Sequence, residues 1–135
     1  SVYSMSKHAM EALTESRALE MEPLGVQVSI VEPGVFKTEI GRSAIERIGA
    51  DPGLPNYAEC REPKEVAAAV LLAISEPRPK RRYLVASENE VRRTIRAHIS
   101  RLLQLNEGNP YSLHRDELIK MMDESRDAHN VERQL

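Results

Sequence analysis

From Tyr3 to Glu22 no proline or glycine interrupts twenty residues rich in helix formers such as Ala9, Ala12, Leu13 and Leu19. Pro23-Leu24-Gly25 stops the run, and Val26-Gln27-Val28-Ser29-Ile30-Val31, β-branched and largely alternating, follows at once. A long helix delivered straight into a strand is the strongest constraint in the chain. Pro33-Gly34 breaks that strand at its carboxyl end. Glu39 to Ile48 has the pattern of a short helix, and Gly49-Ala50-Asp51-Pro52-Gly53-Leu54-Pro55 that of a loop. Glu62-Pro63-Lys64-Glu65 opens another helix, in which Val66, Val70, Leu71 and Ile74 recur at helical spacing. Pro77 to Arg82 ends it before the strand Tyr83-Leu84-Val85-Ala86. Strand, helix, strand predicts a crossover connection and a parallel pair, hence an α/β fold.

The helical reading gives Tyr3-Ser4-Met5-Ser6-Lys7 a chemical meaning. A spacing of four puts the Tyr3 phenol and the Lys7 ammonium on one helix face, one turn apart. An ordinary tyrosine hydroxyl titrates near 10, and a nearby cation favours the phenolate, so such a pair suits proton transfer near neutral pH. The bland alternative is a half-buried tyrosine beside a solvated lysine. Ser6 suits either the motif or close helix packing. In open α/β sheets ligands lie just beyond the carboxyl ends of strands, which is where Pro33-Gly34 falls.

Tyr-x-x-Ser-Lys at Tyr3, Ser6 and Lys7, then Pro-Gly-x-x-x-Thr at Pro33, Gly34 and Thr38, then the strand at Arg82-Tyr83, resemble in order and spacing the C-terminal half of a short-chain dehydrogenase/reductase. The resemblance covers residues 1 to about 86. It implies the C-terminal part of a Rossmann-like, doubly wound parallel sheet over residues 1–87, with a helical C-terminal extension over 88–135. It also implies hydride transfer between NAD or NADP and an alcohol or carbonyl substrate. Tyr3 would be the general acid or base, and Lys7 would tune it and hold the nicotinamide ribose. Pro33 and Gly34 would shape the turn, while the Val35 backbone and the Thr38 hydroxyl would hold the carboxamide or a phosphate. Thr38 is equally placed to cap the helix beginning at Glu39. The loop near residues 49–55 would belong to substrate recognition.

The family's glycine-rich phosphate turn, its asparagine and its carbonyl-polarising serine all precede the tyrosine, and only two residues precede Tyr3. The chain therefore reads as a fragment, inactive by itself, of a longer parent expected to be a homo-oligomer. Two other readings remain: a non-catalytic nucleotide-binding protein of the same fold, and a helix-rich interaction module.

Composition narrows the partners. Basic and acidic groups nearly balance, 19 against 21, which gives no broad electrostatic attraction to nucleic acid or an anionic membrane. The longest apolar run, Val66 to Ile74, is far short of the roughly 20 residues a bilayer span needs. A lone cysteine, Cys60, excludes an internal disulfide and agrees with a reducing, cytoplasmic setting. His8, His98, His114 and His129 share no ligand spacing, so no metal site is expected. Glu15, Glu20 and the basic run Arg78, Lys80, Arg81 and Arg82 read as solvated surface charge. Beyond Glu88, Val91, Ile95, Ile99, Leu102 and Leu103 form one apolar helical stripe. Ser112 could cap a second helix carrying Leu118, Ile119 and Met122.

Overall fold

The computed structural model describes residues 2–49 and 56–134, without the side chains of residues 48 and 129–134. Five α-helices and two β-strands make up the described chain: α1 Val2–Met21, β1 Ile30–Pro33, α2 Glu39–Ile48, α3 Lys64–Ser75, β2 Arg82–Val85, α4 Glu88–Asn106 and α5 Arg115–Gln134. Short 3₁₀ turns occupy Glu22–Leu24 and Tyr57–Glu59. Residues 50–55 of the expected loop lie outside the described residues.

The chain divides into two compact units, residues 1–90 and 91–135. In the first, β1 and β2 pair in parallel, Ile30 opposite Arg82 and Pro33 opposite Val85, with α3 as the crossover. The strand expected from Val26 begins only at Ile30. Upstream of Arg82 the neighbouring segment carries Pro77 and Pro79, which have no N–H to give a ladder. Ser29 instead donates its hydroxyl to the Lys80 carbonyl, 2.8 Å away. At the end of α1, Gly25 takes the left-handed conformation, φ 71°, and its N–H closes the 3₁₀ turn on the Glu22 carbonyl. A side chain at that backbone angle would be strained, which explains the stop.

The helix α3 buries a face other than the expected stripe. Ala69 is buried and Val66 and Ala73 are half-buried, whereas Val70, Leu71 and Ile74 are exposed. The small side chains at 69 and 73 let the helix approach the strands closely, and the larger residues are turned away. Tyr83, buried in β2, ties the crossover down: its hydroxyl accepts from the Lys80 N–H at 2.9 Å and donates to Glu76 at 3.2 Å. Buried hydrophobic residues are few: Ala18, Phe36, Cys60, Ala69 and Tyr83.

The basic run before β2 is engaged rather than merely solvated. Arg82 reaches Glu15 of α1 at 2.7 Å and Glu32 of β1 at 2.5 Å, and Arg81 reaches Glu22 at 3.6 Å. The hydrogen bond to Glu15, against some desolvation, and the charge of Glu32 raise the Arg82 guanidinium further above its already high value. Glu20 does remain a surface charge, paired with Arg17.

In the second unit, Gly108 and the Asn106 side chain make the turn. The Asn106 carboxamide accepts from the Leu113 N–H at 2.7 Å and donates to the Leu113 carbonyl at 2.9 Å. The second tail helix starts two residues later than a cap at Ser112 would have it. Its first turn is closed by Glu117, which accepts from the His114 N–H at 2.8 Å. No helix among the described residues is long and apolar enough to cross a membrane.

Candidate active site

Tyr3 and Lys7 lie on the first turns of α1, on one face, with the Lys7 ammonium 5.2 Å from the centroid of the Tyr3 ring. That is cation–π distance, the charge standing over the ring. Ser6 donates its hydroxyl to the Tyr3 carbonyl at 2.7 Å, a bond within the helix. Tyr3 is 65% exposed, so the pair lies open to solvent.

Ion pairs hold the second half of α1 at the amino end of β2: Glu22 meets Arg81, and Glu11 and Glu15 meet Arg82. Tyr3 precedes Glu15 by about 18 Å of helix axis. No hydrogen bond among the described residues joins Tyr3 or Lys7 to the Pro33–Gly34 turn.

The turn itself is closely bonded. Gly34 donates its N–H to the Val85 carbonyl at 2.8 Å, carrying the ladder one residue beyond Pro33. The Val35 N–H goes to Glu90 Oε1 at 2.8 Å. Glu90 Oε2 accepts from the Ser87 N–H at 2.8 Å and from the Ser87 hydroxyl at 2.7 Å. Ser87 and Glu90 thus form a capping box at the start of α4, with one carboxylate oxygen left over for the turn. Phe36 is buried and bridges in parallel to Arg61, whose guanidinium lies 5.0 Å from the ring centroid.

Thr38 is the N-cap of α2, its hydroxyl accepting from the Gly41 N–H at 3.2 Å. Tyr57, beyond the expected substrate loop, donates its hydroxyl to the Thr38 carbonyl at 3.1 Å. The cap uses the Thr38 oxygen as an acceptor and leaves its O–H to donate. With the first N–H groups of α2 beside it, that exposed hydroxyl suits a carboxamide oxygen or a phosphate. The Val35 amide, by contrast, already serves Glu90. Of the expected cofactor residues, Pro33, Gly34, Val35 and Thr38 come together, and Tyr3 with Lys7 forms a separate cluster. No group of metal-binding side chains occurs among the described residues.

Three residues of this region escaped the sequence reading. Glu90 was visible in principle through the Ser87-x-x-Glu90 pattern. Arg82 carried no signal beyond its charge, and Tyr57 none.

A protein-family model described as short chain dehydrogenase matches residues 1–48. Dehydrogenase/reductase SDR family member 7B of Xenopus tropicalis is 41% identical over 80 residues, 58% of this chain and 26% of that protein. A probable short-chain type dehydrogenase/reductase, VdlC, of Helicobacter pylori is 29% identical over 102 residues, 66% of this chain and 38% of its own. Retinol dehydrogenase 5 of Mus musculus is 53% identical over 38 residues, 28% of this chain and 12% of that one. No solved structure matches. The chain spans about a quarter of the length of the first of these relatives. Over the stretch that these matches cover, the chain is similar to short-chain dehydrogenases/reductases.

Proposed function

We propose that this chain supplies the proton-transfer and nicotinamide-side elements of an NAD(P)-dependent oxidoreductase acting on a secondary alcohol or its carbonyl. The observation that carries the reading is the Tyr3–Lys7 pair, sharing one face in the first turns of α1. The names of the relatives, dehydrogenases and reductases, agree with it. The whole protein would be a homo-oligomer with a doubly wound Rossmann-like sheet, in which β1 and β2 are neighbouring strands. Residues 1–87 would belong to that sheet and residues 88–135 to a helical extension.

A nicotinamide dinucleotide, when bound, supplies the hydride chemistry. Tyr3 gives a proton to the substrate oxygen in reduction and takes it in oxidation. Lys7, one turn away, offers ammonium donors to ribose hydroxyls. Thr38 donates its free O–H toward the carboxamide or a phosphate, and the Pro33–Val35 backbone forms the wall on that side.

The test is the full-length protein, assayed with NADH and NADPH against a panel of ketones and aldehydes, and with the oxidised cofactors against secondary alcohols. Tyr3→Phe is expected to lower kcat by about 10²–10⁴-fold, the usual worth of a positioned proton donor. Cofactor affinity should stay within about twofold, because the change removes one oxygen and no charge. Turnover by Tyr3→Phe close to the parent's would refute the role given to Tyr3. Binding without turnover in the parent itself would favour a non-catalytic nucleotide-binding protein.

A further inference from the structure

We infer that Glu90 is a positioning residue for the Pro33–Val35 turn, setting the backbone against which the nicotinamide end of the cofactor would rest. The inference rests on the reading of that turn as part of the cofactor site, and goes beyond it by naming what holds the turn in shape.

Two independent observations carry it. The first is the bonding. One carboxylate joins two segments far apart in sequence, Oε1 to the Val35 N–H and Oε2 to the Ser87 N–H and hydroxyl. Each is a charge-assisted hydrogen bond of 2.7–2.8 Å, shorter and stronger than a neutral one. A capping box needs only the bonds to Ser87, so the bond to Val35 is additional to the helix cap. The second observation is steric. A Cβ built on Gly34 would lie 2.8 Å from Glu90 Oε2, 2.9 Å from Glu90 Cδ and 2.9 Å from the Ala86 Cβ. Those separations are below any contact a real side chain makes, so Gly34 is the residue that lets the carboxyl group sit flat against the turn. The glycine of the Pro-Gly motif and the glutamate at the start of α4 are thus two halves of one contact.

The consequence for the site is specific. The Val35 N–H is held by the protein and does not point freely outward, so the ligand-facing groups of this wall are the Thr38 hydroxyl and whatever backbone the fixed turn presents. Loss of Glu90 frees the Val35 amide and lets the turn wander, and cofactor binding weakens while the proton-transfer pair on α1 is untouched.

The full-length protein tests this with two variants that divide the carboxylate's two jobs. Ser87→Ala removes the hydroxyl from the capping box and leaves the carboxylate in place for Val35. Glu90→Asp keeps the charge at the start of α4 but is one methylene short of Val35. Cofactor KM should therefore stay within about twofold in Ser87→Ala and rise roughly tenfold in Glu90→Asp, with kcat changing less than KM in both; tenfold is the scale of one lost charge-assisted hydrogen bond. Hydrogen exchange at the Val35 amide, read without cofactor, should quicken in Glu90→Asp and remain slow in Ser87→Ala. Equal effects of the two variants on KM would overturn the inference, as would an unchanged Val35 exchange rate in Glu90→Asp, or faster exchange with an unchanged KM. Gly34→Ala adds a second route. Its effect on cofactor affinity should be markedly smaller in a Glu90→Ala background than in the parent, since the two changes break the same contact. Additive effects would count against the proposal. Tyr3→Phe, measured alongside, separates the outcomes: a fully active Tyr3→Phe refutes the proposed mechanism without altering the Val35 exchange result.

Discussion

Thr38 shows how one side chain serves structure and site at once. Its oxygen caps α2, and removing such a cap costs about 1 kcal/mol. Its proton is what a bound carboxamide or phosphate would use. Thr38→Ala loses both, whereas Thr38→Asp keeps a capping acceptor, lacks the donor and adds negative charge. We expect Thr38→Ala to lose about 1 kcal/mol in chemical denaturation and also to bind cofactor more weakly. Thr38→Asp should keep its stability and lose affinity; equal affinity in the parent and Thr38→Asp would show that the hydroxyl only caps. Both roles could be read in the sequence, because capping and the Pro-Gly-x-x-x-Thr spacing are local patterns. So could the Tyr3–Lys7 pairing, which follows from helical geometry alone. The partner of the Val35 amide was not readable, since Glu90 stands 55 positions away and nothing local in Pro33-Gly34-Val35 announces a carboxylate.

Among elements, the placement of α1 rests largely on charge. Arg82 joins α1 to β1 through Glu15 and Glu32, and its own strand sets the register between them. Glu15 is well exposed and its bond is screened, whereas Arg82 and Glu32 are partly sheltered. Arg82→Met keeps the stem and removes its ion pairs to Glu11, Glu15 and Glu32, leaving three carboxylates without their common cation. Destabilisation of about 1–2 kcal/mol is expected, with faster amide exchange along α1, and activity falling because the helix that carries Tyr3 is less firmly aimed. Lys at this position should recover only part of the loss, since one ammonium replaces a fork that meets three carboxylates. Unchanged exchange along α1 in Arg82→Met would remove Arg82 from this role. Element identity and order were legible from periodicity and breakers, down to the bounds of α2. What periodicity missed was which face is used: in α3 the larger residues Leu71 and Ile74 suggested the core, yet Ala69 is buried and Ala73 half-buried while those two are exposed. A helix lying close on a sheet selects small residues at the contact, and hydrophobicity alone does not report that choice.

On the scale of the whole chain, the sequence foretold a problem that the structure makes concrete. A parallel sheet is normally covered on both faces, and a two-stranded one is marginal without packing partners. Among the described residues the sheet consists of β1 and β2, and a strand edge without a neighbour invites pairing with another chain. Large apolar residues on three helices face solvent, among them Leu71 at 66% and Ile74 at 78% on α3, Leu13 and Leu19 on α1, and Leu103 and Leu105 on α4. Each is on the order of 100 Å² of mostly apolar surface, and burial worth roughly 25 cal/mol per Å² is available to whatever covers them. Residues 1–135 expressed alone are therefore expected to bind a hydrophobic dye such as ANS strongly, to associate with increasing concentration, and to show no measurable NAD(P)H affinity in the micromolar range. Analytical ultracentrifugation and dye fluorescence against concentration check the first two, and fluorescence titration with NADH and NADPH the third. A monomer with a sharp, cooperative thermal transition and micromolar cofactor binding would show that these faces are tolerated in water, and that β1, β2 and their helices suffice to hold the dinucleotide.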